Sequence, residues 1–276
     1  MIGALQVEGW GGAIGRGRRL QRLFPRKHGR SIIVPLDDGL IFGPFNGLEN
    51  LDKIADELRE SPANAVLSFP GTFRTAFSKL QNQSWIVNLT ASTVGASHTQ
   101  KVIVGTVEQA LRLSADAVAV HVNFTDNDEN RMLTTLATVV RESEQFELPV
   151  VAIMYPRRTV SGHTDNYDDL RAKDVKAYSR LVSHAARIGV ELGADVIKTH
   201  YTGDPDSFRA VIDAARYVPI VVAGGPLRDR EQALRVAEES ISAGAAGISF
   251  GRNVYQREDM GAFLKDLALV VDRTNS

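Results

Sequence analysis

No cysteine occurs among the 276 residues of this chain. Disulfide frameworks, thiol nucleophiles and thiolate metal sites are excluded together. A dominant charge is also lacking: 32 Lys and Arg against 33 Asp and Glu leave a formal net charge of -1. No global field then draws nucleic acid or an anionic membrane, and a charged ligand has to be met by local groups. No window approaches the ~20 apolar residues of a membrane span. Met1 to Trp10 lacks the basic segment and long apolar core of a secretory leader. These absences point to a cytoplasmic enzyme or binding protein, and a hydrophobic content of 43% is ample for a full core.

One basic cluster stands out: Arg16, Arg18, Arg19, Arg22, Arg26, Lys27 and Arg30, interleaved with Leu20, Leu23 and Phe24. Such a segment could bind nucleic acid. The helical spacing of Arg19, Arg22 and Arg26 favours a solvated face on a short capping helix.

Beyond it, short β-branched runs alternate with stretches of helical period. The expected strands are 31–36, 63–69, 85–89, 117–122, 149–154, 195–200, 219–223 and 246–251. Runs such as Val118-Ala119-Val120 and Ile220-Val221-Val222 are continuously apolar, as strands covered on both faces are. Leu48, Leu51, Ile54, Ala55 and Leu58 form a helical stripe, and so do Phe208, Val211, Ile212 and Ala215. Thr106 with Gln109 reads as a capping box, and Asp204 as the cap of a helix opened by Pro205. Eight strand-helix units in one domain over residues 1–276, with residues 1–30 as a basic capping segment, are the measure of a single (β/α)8 TIM barrel. A doubly wound open sheet is the competing fold, but no G-x-G-x-x-G follows the first strand. The polar connection from Arg157 to Asp169 is long for a loop after a strand and suggests a lid.

In a barrel, residues at the strand ends converge on one mouth. Lys198 interrupts the apolar run Val196-Ile197-Lys198-Thr199-His200. A buried ammonium is either paired with a carboxylate or tuned for chemistry, and an amine so placed can form a Schiff base with a ketone. Tyr155 is a proton donor or acceptor on this reading, or an interfacial tyrosine packed under the loop. Asp37 and Asp38 are neighbours, so strand alternation allows one to face the mouth; Asp37 is the expected one and Asp38 the turn or cap carboxylate. Gly224-Gly225 and Gly251-Arg252 end the seventh and eighth strands, where barrels commonly hold phosphate. His121 and His200 read first as hydrogen-bonded structure. No histidine spacing suits a metal, and two adjacent aspartates are a weak signal for one.

The motifs carry a resemblance. Ile33-Val34-Pro35-Leu36-Asp37-Asp38-Gly39, Met154-Tyr155-Pro156-Arg157, Gly193-Ala194-Asp195-Val196-Ile197-Lys198-Thr199, Ala223-Gly224-Gly225-Pro226 and Gly251-Arg252-Asn253 resemble the corresponding strands of archaeal-type class I fructose-bisphosphate aldolases and their relatives. The similarity runs from about Arg22 to the C-terminal helix.

It implies a metal-free, cofactor-free aldolase with Lys198 as the imine-forming residue, Tyr155 as acid and base, and Asp37 serving a substrate hydroxyl. Gly224, Gly225, Gly251 and Arg252 would hold phosphate, Asp38 and His200 would complete the substrate site, and the chain would form a homo-oligomer, in the family often a decamer. Two departures sit near the reacting end. Asp38 stands where the family pattern has histidine, and Ile153 where fructose-bisphosphate aldolases of this type carry tryptophan. They imply dihydroxyacetone phosphate as retained donor and an altered acceptor, L-aspartate 4-semialdehyde. The alternatives are glyceraldehyde 3-phosphate, 2-amino-3,7-dideoxy-D-threo-hept-6-ulosonate synthesis, a phosphoketose thiolase, or a noncatalytic phosphosugar-binding barrel.

Overall fold

The computed structural model describes residues 14–44, 46–95 and 97–273; the reading of Met1 to Trp10 lies outside them. Eight strands are β1 (Ser31–Pro35), β2 (Ala65–Ser68), β3 (Ser84–Asn88), β4 (Ala117–Phe124), β5 (Val150–Pro156), β6 (Val196–His200), β7 (Ile220–Ala223) and β8 (Gly247–Ser249). They close into a barrel in the order β1-β8-β7-β6-β5-β4-β3-β2, every pairing parallel. The expected (β/α)8 barrel is the observed fold. β4 and β5 each run two residues further than the apolar pattern indicates, and the extension of β5 carries Tyr155.

Side-chain alternation sorts each strand between two cores. One lies outside the barrel, where Val118, Val120 and Val122 of β4 meet the surrounding helices. The other fills the lumen with Ile33, Ala65, Leu67, Ile86, Ala119, Val151, Ile153 and Val196. Leu20, Leu23 and Phe24 belong to this second core, so the helix Ile14–Leu23 plugs the N-terminal end of the barrel.

The sequence reading of a solvated face holds for Arg18 and Lys27, which are exposed, and is corrected for Arg16, Arg22 and Arg26, which reach protein partners. Arg22 Nε donates to Asp116 Oδ1 at 2.6 Å, and Arg16 Nη1 to Asp195 Oδ1 at 3.3 Å. Asp116 and Asp195 precede β4 and β6, and each also accepts a backbone N–H from the neighbouring strand, Trp85 at 3.0 Å and Val150 at 2.8 Å. Arg26 donates to Asn64 Oδ1 and Asp272 Oδ2, both at 2.7 Å, and to the Pro62 carbonyl at 2.5 Å. Arg16, Arg22 and Arg26 thus fasten this segment to strand starts and to the C-terminal helix.

Both expected caps form. Thr106 Oγ1 accepts from Gln109 N, and Asp204 Oδ1 accepts from Ser207 N with Pro205 at the first helical position. The long connection after β5 is a folded arm rather than an open loop. Arg158–Val160 pairs antiparallel with His163–Asp165, and a helix follows at Asp168–Lys173. Thr159 Oγ1 meets Thr99 Oγ1 at 2.7 Å and Tyr167 donates to Thr125 Oγ1 at 2.8 Å, which anchors the arm to the loops after β3 and β4.

Candidate active site

The same alternation that fills the lumen with apolar side chains lower down aims polar ones inward at its C-terminal end. On β6 the inward series is Val196, Lys198, His200; on β5 it is Val151, Ile153, Tyr155; on β4 it is Ala119, His121, Asn123. Register sets their heights. Lys198 pairs with Ile153, Ile153 with His121, and Tyr155 with Asn123, so the inward series of the three strands lie side by side with Tyr155 two residues further along β5 than Ile153.

These residues open onto a cavity of about 260 Å³ lined by Asp37, Asp38, His98, His121, Ile153, Tyr155, Arg157, Arg171, Tyr178, Lys198, His200, Gly224, Gly225, Arg228, Gly251 and Arg252. All ten strand-end residues singled out in the sequence, His121 among them, therefore meet at one place.

Lys198 is 6% exposed. No carboxylate among the described residues forms an ion pair with it, so the paired alternative has no geometric basis. Asp37 lies within its electrostatic reach and accepts from Asn88 Nδ2 at 2.8 Å. Burial pushes the Asp37 carboxyl above its ordinary range, against the opposing pull of Lys198.

Asp38 departs from expectation. Both carboxylates face the cavity, because the chain leaves β1 at Pro35 and Asp37 takes helical angles (φ -97°, ψ -1°) before the turn Asp38–Phe42. Strand alternation has ended by then. Tyr255 donates to Asp38 Oδ2 at 2.5 Å, and Arg252 Nε lies 3.8 Å from the same oxygen.

Tyr155 is held from three sides. His200 stacks on its ring at 4.1 Å between centroids, His121 meets it edge-on at 4.9 Å, and the Arg157 guanidinium lies 5.0 Å from the ring centre. His200 Nδ1 is bonded to the Tyr178 hydroxyl at 3.1 Å, and His121 Nε2 to Asn123 Oδ1 at 3.0 Å. Asn123 Nδ2 donates to the Thr99 carbonyl, so its Oδ1 is an acceptor and His121 carries its proton on Nε2. Burial holds both imidazoles well below their ordinary pKa, and neighbouring cations push the same way, so each is neutral near pH 7. The structural reading of these histidines is thus correct for their hydrogen bonds and incomplete for their place, since both line the cavity.

The glycines make a cradle for a chemical reason. A Cβ on Gly224 would lie 2.9 Å from the Phe250 ring, one on Gly251 2.8 Å from the Pro35 carbonyl, and Gly225 has φ +70°. Asn253 Nδ2 donates to the carbonyls of Gly224 at 3.1 Å and Pro226 at 2.8 Å, which turns this segment's carbonyls toward the protein. Arg228 and Arg252 bring guanidinium groups to the same rim.

Sequence reasoning missed several neighbours. Arg157 closes the quoted motif of the fifth strand without having been given a role, Arg228 lies two residues beyond Pro226 and Asn88 ends β3, so the strand-end rule could have found them. His98 and Lys101 come from the loop after β3, where no local pattern marks them. Burial and the Lys101 and Arg157 charges lower His98 to about 3. Lys101 donates to Ser92 Oγ at 2.7 Å, and burial, with Arg157 adding to it, lowers it to about 8.

Residues 31–257 match the family model of the DeoC/LacD family aldolases. The chain belongs to the DeoC/LacD aldolase family. This aldolase is 36% identical over 264 residues to the 2-amino-4,5-dihydroxy-6-oxo-7-(phosphonooxy)heptanoate synthase of Streptomyces griseus, covering 95% of the chain and 92% of the relative. It is also 36% identical over 259 residues to the 2-amino-3,7-dideoxy-D-threo-hept-6-ulosonate synthase of Halobacterium salinarum, covering 93% and 91%. Among solved structures, an archaeal fructose-1,6-bisphosphate aldolase with its catalytic lysine bound to the carbinolamine intermediate superposes with a TM-score of 0.81 at 30% identity. That match covers 93% of this aldolase and 99% of the other chain. The enzyme is an aldehyde-lyase of the Schiff-base type. No helix among the described residues is long and apolar enough to cross a membrane.

Proposed function

We propose that this aldolase joins dihydroxyacetone phosphate to L-aspartate 4-semialdehyde, giving 2-amino-4,5-dihydroxy-6-oxo-7-(phosphooxy)heptanoate on the way to an aromatic amine. The observation that carries the reading is Lys198: a buried lysine without an ion-pair partner, on the wall of a cavity that also holds Tyr155, Asp37 and a glycine cradle. The identity with the Streptomyces griseus synthase supports the choice of acceptor.

In this mechanism the Lys198 amine adds to the ketone carbon, and the carbinolamine loses water to give an imine. Tyr155 assists by moving a proton, and loss of a proton from the carbinol carbon gives the enamine. The imine nitrogen is the electron sink, so these steps call for no metal. The enamine carbon attacks the aldehyde, whose oxygen takes up a proton, and water hydrolyses the new imine to free Lys198. Asp37 holds the substrate hydroxyl. The N–H groups around Gly224, Gly225 and Gly251, with Arg252, hold the phosphate and thereby fix the ketone against the amine. Asp38 and His200 complete the substrate site.

The working enzyme on this reading is a cytoplasmic homo-oligomer, a decamer as in much of the resembled family, built from one barrel domain per chain; native mass measurement tests the assembly. Borohydride added with dihydroxyacetone phosphate should fix the ketone covalently on Lys198, and Lys198→Ala should abolish both adduct and turnover. Turnover with Lys198 unmodified would refute the mechanism. With aspartate semialdehyde as partner the expected product is a seven-carbon amino-acid phosphate, whereas a six-carbon bisphosphate would mean that glyceraldehyde 3-phosphate is the acceptor.

A further inference from the structure

The mouth of the cavity carries charges that a phosphorylated ketone leaves unused. Arg228 and Arg252 flank the glycine cradle on the side of β7 and β8. Arg157, at the end of β5, lines the cavity from another side. Its Nε donates to Asn166 Oδ1 at 2.7 Å. It forms no ion pair among the described residues, although it is buried deeply enough for desolvation to work against its charge. Arg157 is half-buried on the cavity wall, and a partly desolvated guanidinium gains from an anion that a ligand supplies.

Asp38 lies within electrostatic reach of Arg157 and has the complementary vacancy. Tyr255 and Arg252 both engage its Oδ2, and no group among the described residues bonds its Oδ1. One mouth thus presents a cation lacking an anion and a carboxylate oxygen lacking a donor.

We propose that Asp38 and Arg157 hold the charged backbone of an α-amino-acid aldehyde, Asp38 accepting from its ammonium and Arg157 donating to its carboxylate. The inference rests on the Schiff-base aldolase reading above and names the chemical class of the acceptor. Asp38, with Asp37 beside it, works against a phosphorylated aldehyde, whose dianion would meet a carboxylate where the ammonium is received. Discrimination then comes from a matched pair of charges and an opposed one, which the fold places together by letting residues 37 and 38 both face inward.

The test compares aspartate semialdehyde with two analogues that each lack one charge: succinate semialdehyde without the ammonium, and 3-aminopropanal without the carboxylate. Asp38→Asn should reduce the preference for aspartate semialdehyde over succinate semialdehyde, measured as a ratio of kcat/KM, by roughly tenfold or more, the scale of one charge-assisted hydrogen bond. Arg157→Gln should do the same to the preference over 3-aminopropanal, and Arg157→Lys should recover part of it. Working with ratios removes a general loss of folding or catalysis. Unchanged ratios in both variants, with the Lys198 adduct still formed by the wild type, would overturn the clamp and leave the aldolase reading intact. A wild type that forms no adduct at all would overturn both.

Discussion

Replacing Lys101 by methionine should stabilise this aldolase at neutral pH, and the gain should disappear as the pH rises. Lys101 is 2% exposed, has only Ser92 Oγ as a hydrogen-bond partner among the described residues, and is lowered to about 8 from its ordinary 10.5. Burial is the first cause and the neighbouring Arg157 guanidinium adds to it, while Asp37 and Asp38 pull the other way. Between pH 8 and 10.5 the unfolded chain binds a proton at this position that the folded chain has released, so stability rises with pH across that window. Below pH 8 the full cost applies, roughly 3 kcal/mol from the shift at 1.36 kcal/mol per pKa unit.

Methionine has a similar length and no charge to desolvate. Denaturant unfolding of both proteins from pH 7 to 10.5 should show the variant ahead by roughly 3 kcal/mol at pH 7, narrowing to a few tenths at the upper end. Taking the difference cancels the tyrosines that titrate in the same range. A variant less stable at pH 7, or a difference that does not move with pH, would refute the assignment of Lys101 as a desolvated cation. The protein would then keep an unpaired ammonium there for some packing reason.

Two further outcomes follow from the geometry. Gly224→Ala should cost about 1–3 kcal/mol by overpacking against the Phe250 ring and should raise the KM for dihydroxyacetone phosphate about tenfold, if the backbone at 224 is part of the phosphate cradle. Melting and steady-state kinetics check the two effects separately. Arg26→Ala should cost about 2–3 kcal/mol, because Asn64, Asp272 and the Pro62 carbonyl lose a donor whose side chain is only 11% exposed; chemical denaturation at pH 7 measures it, and a neutral result would mean that the Arg26 hydrogen bonds add nothing to stability.

The barrel was legible because its signals are local. A two-residue alternation, eight runs of β-branched residues, Thr106 and Asp204 as caps and glycines at two strand ends each depend on near neighbours in the chain. The catalytic candidates were legible for the same reason: Lys198 is conspicuous as the one cation inside an apolar strand, and the motif around it carries the family resemblance. Asp38 was misread where the local rule stopped applying. Alternation holds only while the backbone is extended, and the chain turns helical at Asp37.

Residue order alone determined the closed barrel, the lysine on its sixth strand and the glycine pairs that end the seventh and eighth. Tertiary structure decided everything that depends on register between strands. It set Lys198 beside Ile153 and Ile153 beside His121 in the strand register, and clasped Tyr155 between His200, His121 and Arg157. It brought His98 to the cavity wall with Lys101 nearby and made fasteners of Arg16, Arg22 and Arg26. Those relations join residues far apart in the chain, and charge, burial and hydrogen-bond polarity acquire their values only when such residues meet.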